Sequence, residues 1–104
     1  MLVVILTREI VTTAWARSWR RVQIPAYGNE CFLSGMPFDH ARNRGVELML
    51  EGGYSHVFFL DDDLLIPDNT IARLMAHGQD IVSGLYWRRH PPLAPVMLRN
   101  RQWI

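Results

Sequence analysis

A chain of 104 residues has room for one domain built around one hydrophobic core, and residues 1–104 are expected to form it. With 49% apolar and 20% charged residues the composition is that of a globular protein, which excludes a disordered or low-complexity chain. A formal net charge of +1 excludes a polyanion-coating role, so no nucleic-acid partner is expected.

The apolar run 1–6 (MLVVIL) predicts a strand buried on both faces. Residues 10–20 predict a helix, with Val11, Trp15 and Trp19 along one side. Residues 22–26 form a weak candidate for a second strand. Residues 27–37, with Gly28, Gly35 and Pro37, predict a loop that has room for a short strand at 31–33. A clearer helix follows over 38–51: Ala41, Gly45 and Leu48 share a face, and Gly52-Gly53 supplies the stop. Residues 57–60 (VFFL) predict a short apolar strand that runs directly into Asp61, Asp62 and Asp63. Pro67 and Asp68 open the next predicted helix, which carries Ile71, Leu74 and Met75 and ends at His77-Gly78. Residues 80–86 predict another strand. A basic, Pro-rich stretch and a short apolar run at 96–98 come after it.

Strands alternating with helices predict an α/β fold, a mostly parallel sheet with helices on both faces. Ligands of such sheets bind beyond the carboxyl ends of the strands, where Asp61 to Asp63 fall.

All eleven basic residues are Arg. Genome composition accounts for this; the alternative is a surface biased towards bidentate phosphate contacts. Cys31 is the sole cysteine, so an intramolecular disulfide is excluded and a reducing compartment fits. The run 1–6 is too short to span a bilayer and lacks a basic leader, so a soluble, cytoplasmic protein without a transmembrane segment is expected.

Three adjacent carboxylates repel one another, and a divalent cation relieves that repulsion. Hard carboxylate oxygens suit Mg²⁺ or Mn²⁺, which complete their shells with water and substrate phosphate. Strand alternation puts Asp61 and Asp63 on one side while Asp62 points elsewhere. A sharp turn at the strand end would instead break the alternation and make Asp62 a direct ligand. The competing reading is a solvated acidic loop, although Asp68 already serves to cap the helix that follows.

The segment 57–68 (VFFLDDDLLIPD) resembles the DXD segment of GT-A glycosyltransferases, especially the family 2 type. Residues 41–45 (ARNRG) resemble the Ala-Arg-Asn segment those enzymes place upstream of it. Residues 80–86 (DIVSGLY), followed by Arg88 and Arg89, resemble their next strand. The likeness covers roughly residues 38–98, with 1–9 as the first strand and its nucleotide-contacting end. It implies the Rossmann-like, nucleotide-sugar-binding half of that fold. It also implies a UDP- or GDP-linked sugar donor, an Mn²⁺ or Mg²⁺ cofactor and glycosyl transfer to an acceptor hydroxyl. By the same resemblance Thr7, Arg8 and Glu9 face the base, and Arg42, Asp61, Asp62 and Arg88 bind the sugar nucleotide. Asp61 and Asp63 hold the metal. Base, sugar, acceptor and stereochemical course stay open.

No Asp or Glu follows Asp80, where the family keeps its catalytic base, so either a truncated or a minimal enzyme is expected. His90 is the one weak candidate for that base or for a further metal ligand. A non-catalytic nucleotide- or sugar-binding module, or a degenerate glycosyltransferase fragment, is the alternative function. A haloacid-dehalogenase-like phosphatase fits less well: Leu64 and Leu65 follow the acids and the chain has no Lys. Trp87 and Trp103 are read as packing residues before sugar platforms. His40, His56 and His77 are read as structural, and Cys31 as unreactive. Four Trp, four Phe and five Met predict an exposed apolar patch and hence a homo-oligomer.

Overall fold

The computed structural model describes residues 1–85 and the backbone of two short strands, Leu98–Arg99 and Gln102–Trp103. The chain divides into two compact units, Met1–Arg73 and Leu74–Ile104.

The first unit is a three-stranded sheet with helices packed on its two faces. In chain order come β1 (Leu2–Leu6), α1 (Thr13–Arg21), β2 (Asn29–Leu33), α2 (Phe38–Glu51), β3 (Val57–Asp61) and α3 (Thr70–Met75), whose first turn belongs here. The strand order is β2-β1-β3 and both pairings are parallel. Every residue of β1 is buried, as its unbroken apolar run predicts. The expected α/β arrangement, a parallel sheet between helices, is therefore present.

Alternation along β1 sorts the core into two layers. Val3 and Ile5 pack with Trp15, Leu60 and Ile71. Leu2, Val4 and Leu6 pack with Ala41, and Leu48, Phe59 and Cys31 lie against them. On the first face the helix fills space with large rings: Trp15 stacks on Trp19 at 6.0 Å and meets Phe32 edge-on at 6.4 Å. On the second, small residues bring the helix backbone close. A Cβ on Gly45 would sit 2.8 Å from the Phe59 ring and 3.2 Å from both Val4 methyls.

Helix α2 has the predicted bounds, because Pro37 enters it and Gly52-Gly53 leaves it, Gly53 at φ +71°. Helix α1 starts later than expected. The Thr12 hydroxyl accepts the Trp15 N–H at 3.1 Å and caps it, so Val11 lies outside the helix and is exposed.

Three other expectations are corrected. Residues 22–26 form no strand: the Gln23 N–H donates to the Asp68 carbonyl, and a turn closes from Pro25 to Gly28. The second strand is β2, longer than the short run at 31–33, and its polar first residues are there because they pair with Leu2 and Val3. The third helix starts at Thr70 instead of Pro67. The Thr70 hydroxyl and N–H both bond the Pro67 carbonyl, and Asn69 supplies the carbonyl that accepts the Arg73 N–H.

In the second unit the helix ends as expected, with the His77 and Gly78 N–H groups returning to Leu74 and Met75. Residues 80–85 then form no strand, and Ile81 is 92% exposed. An apolar run becomes a strand only where a neighbouring ladder takes up its N–H and C=O groups, and among the described residues none does so here. Tyr86 lies outside the described residues. Leu98–Arg99 (β4) and Gln102–Trp103 (β5) pair antiparallel. Among the described residues no helix is long and apolar enough to cross a membrane.

Candidate functional site

In the strand order β2-β1-β3 both pairings are parallel, so β1 and β3 are neighbours whose carboxyl ends lie at the same edge of the sheet, where ligands of such sheets bind. The register sets Leu6 of β1 against Asp61 of β3, so the residues that follow each strand emerge side by side.

Those residues carry charge. The Arg8 N–H donates to Asp62 Oδ2 at 3.1 Å, joining the loop after β1 to the turn after β3. Alternation from Phe59, which packs on the α2 side, sends Asp61 to the same side. There Arg42, one turn into α2, meets Asp61 Oδ1 at 3.6 Å. Both side chains are about half exposed, at 47% and 48%, so the pair itself adds little to stability. Its value is positional.

The chain bends immediately after Asp61, where the Leu64 N–H reaches back to the Asp61 carbonyl at 3.4 Å. Strict strand alternation therefore stops at Asp61. Asp62 turns towards Arg8, and Asp63 lies exposed in the turn. Asp61 and Asp62 are thus the acids tied to the neighbouring segments by the contacts with Arg42 and Arg8.

Thr7 and Glu9 complete the loop after β1. The Thr7 N–H donates to the Leu33 carbonyl at 3.0 Å, extending the β1–β2 ladder by one bond. Glu9 adopts φ +83°, a conformation that L residues rarely hold. It is kept there by its N–H donating to the Thr7 hydroxyl at 2.9 Å, while the Ser34 hydroxyl donates to its carboxylate at 3.3 Å. Strain of this kind concentrates at working sites.

Two residues at this edge escaped the sequence reading. Ser34 gives no local signal. Phe38 gives one: it stands four residues before Arg42 on the same helix, so the two side chains are neighbours. The guanidinium carbons of Arg8 and Arg42 each lie 5.9 Å from the centre of the Phe38 ring.

The donor set available to a cation is carboxylate oxygen. Among the described residues no group of three or more His, Cys, Asp or Glu side chains is gathered as a closed metal cage. One oxygen each of Asp61 and Asp62 is engaged by Arg42 and Arg8. Carboxylate oxygens are the ligands that Mg²⁺ and Mn²⁺ take, through one or two carboxylates plus water and phosphate.

Of the other residues singled out from sequence, the described ones lie away from this edge and the rest are not described. Arg88, Arg89, His90 and Trp87 fall outside the described residues, as does the Trp103 side chain. His56 uses its carbonyl to accept the Leu2 N–H and its ring to meet the Ser55 hydroxyl at 2.8 Å. His40 is an exposed neighbour of Asp39 at 3.9 Å. Cys31 packs in the α2-side layer. No family model, no curated protein and no solved structure matches this chain.

Proposed function

We propose that this chain binds a nucleoside-diphosphate sugar, UDP- or GDP-linked, through a divalent cation and serves as a glycosyltransferase or its donor-binding core. One observation carries the reading. The loop after β1, the Arg42 turn of α2 and the acids after β3 meet at one sheet edge, through the Arg8–Asp62 and Arg42–Asp61 contacts. These are the segments that the GT-A resemblance assigns to the donor.

In this reading Asp61 and Asp63 supply the carboxylate ligands of Mn²⁺ or Mg²⁺, and water and phosphate complete the shell. The bound cation supplies Lewis-acid stabilisation of the charge on a departing diphosphate. Arg8 and Arg42 donate hydrogen bonds to the phosphate oxygens, and the guanidinium fork suits that task better than an ammonium would. Thr7 and Glu9 line the approach of the base. Self-association belongs to the same reading, supported by the exposed Ile10, Val11 and Met36, and sedimentation as a monodisperse monomer would contradict it.

Calorimetric titration with UDP and GDP, with and without Mn²⁺, tests the assignment. Binding is expected to depend on the metal in the wild type and to be lost in Asp62→Ala and Asp63→Ala. Equal affinity with and without metal would refute it. Binding without transfer is the second reading, favoured by the lack of any Asp or Glu over residues 81–104. Release of nucleoside diphosphate from a sugar nucleotide separates the two.

A further inference from the structure

Phe38 is half exposed, at 48%, and belongs to neither layer of the core. Its ring nonetheless gathers two cations from different segments, Arg8 from the loop after β1 and Arg42 from α2, each at 5.9 Å. Two guanidinium groups repel each other, and the ring offsets part of that repulsion by presenting its electron-rich face. Their carboxylate partners are unequal. Arg42 has Asp61 at 3.6 Å, whereas among the described residues the Arg8 guanidinium has no carboxylate within ion-pair distance. Arg8 is held at its other end, since its backbone N–H is bonded to Asp62.

A guanidinium carbon 5.9 Å from the ring centre is attracted electrostatically to the ring, and its N–H donors remain available to a ligand. Restricting the side chain at both ends, by the backbone bond and by the ring, reduces the entropy lost when an anion arrives. We propose that Phe38 is the positioning residue of a two-arginine seat for a diphosphate. Arg8 is its open arm, and Arg42 is a second arm that Asp61 holds until a competing charge releases it. The proposal rests on the reading of this edge as a diphosphate site and assigns what orders it.

Inorganic pyrophosphate, titrated by calorimetry in metal-free buffer containing EDTA, probes the arginines apart from any cation. Phe38→Leu is expected to weaken binding about tenfold, the scale of one partly desolvated cation–π contact. Phe38→Tyr, which keeps the ring, is expected to stay within about twofold of wild type. Thermal midpoints of both variants should match the wild type, because the ring is outside the core. Asp61→Asn is expected to tighten metal-free pyrophosphate binding, since it frees Arg42, while abolishing the Mn²⁺ dependence of UDP binding. Equal affinity of Phe38→Leu and wild type overturns the seat, as does failure of Phe38→Tyr to restore binding. Weaker metal-free binding by Asp61→Asn overturns the reserved role of Arg42. Absence of pyrophosphate binding in both wild type and Asp61→Asn overturns the whole proposal. Metal-independent UDP binding by a wild type that passes the Phe38 tests would instead remove the metal reading and leave the seat intact.

Discussion

The two faces of the sheet are closed in different ways. On the α1 side, the gap is filled by large side chains: Trp15, its stacked neighbour Trp19 and the edge of Phe32. On the α2 side, Ala41 and Gly45 let the helix backbone approach the strands. The first solution buries area and tolerates some movement of the helix axis. The second fixes the axis, because interiors are close-packed and the contact is backbone against side chain. That difference bears on function, since α2 carries Phe38 and Arg42 to the acids at the end of β3. The face closed by small residues positions the site; the face closed by rings holds the domain together.

Substitutions on the two faces should separate these roles. Trp15→Ala, on the ring face, is expected to cost about 3–5 kcal/mol, read as a lower urea midpoint by far-UV circular dichroism. Any molecules still folded should bind nucleotide normally. Gly45→Ala gains helix propensity but must displace Phe59 or the Val4 methyls, for a net loss of about 1–2 kcal/mol. Unlike the first variant, its folded form should bind UDP with Mn²⁺ more weakly, because α2 is lifted with Arg42. A variant that loses stability but not affinity would break the distinction between the faces.

Thr12→Ala removes the α1 cap and is expected to cost about 1 kcal/mol in the same denaturation experiment, with affinity unchanged. The smallest effect is expected at Glu9. Glycine there removes the positive-φ strain, and Glu9→Gly should raise the urea midpoint by the equivalent of about 0.5–1 kcal/mol. Loss of the Ser34 contact partly offsets that gain. A lower midpoint would mean that the lost Ser34 hydrogen bond and the freedom of glycine in the unfolded chain outweigh the strain.

On the exposed side of α2, Arg44 bonds Glu47 at 3.0 Å and Glu51 at 3.4 Å. The Glu47 hydrogen bond first, then the Glu51 charge, raises its pKa above the ordinary guanidinium range. Arg44 is therefore cationic throughout the working pH range.

Elements with local signals of their own were legible from sequence. β1 follows from an unbroken apolar run, and α2 from Ala41, Gly45 and Leu48 on one face and a double-glycine exit. Elements whose state depends on a neighbour were not. β2 begins with Asn29 and Glu30, poor strand formers that are extended because β1 supplies a ladder. Residues 80–85 carry a better strand pattern, yet no described strand pairs with them. The candidate site divides in the same way. Its acids and Arg42 stand out by residue type, whereas Phe38 and the Arg8–Asp62 bond depend on where separate segments end.

Sequence alone determined that an apolar strand delivers three carboxylates, and that a helix carrying Arg42 precedes it. It also specified a parallel α/β sheet, through the alternation of apolar runs with helical periods. Only the tertiary structure decided which acid meets which arginine. That choice follows from the register of β1 on β3 and from the bend after Asp61, since one residue of slip would send Asp61 to the opposite face, away from Arg42.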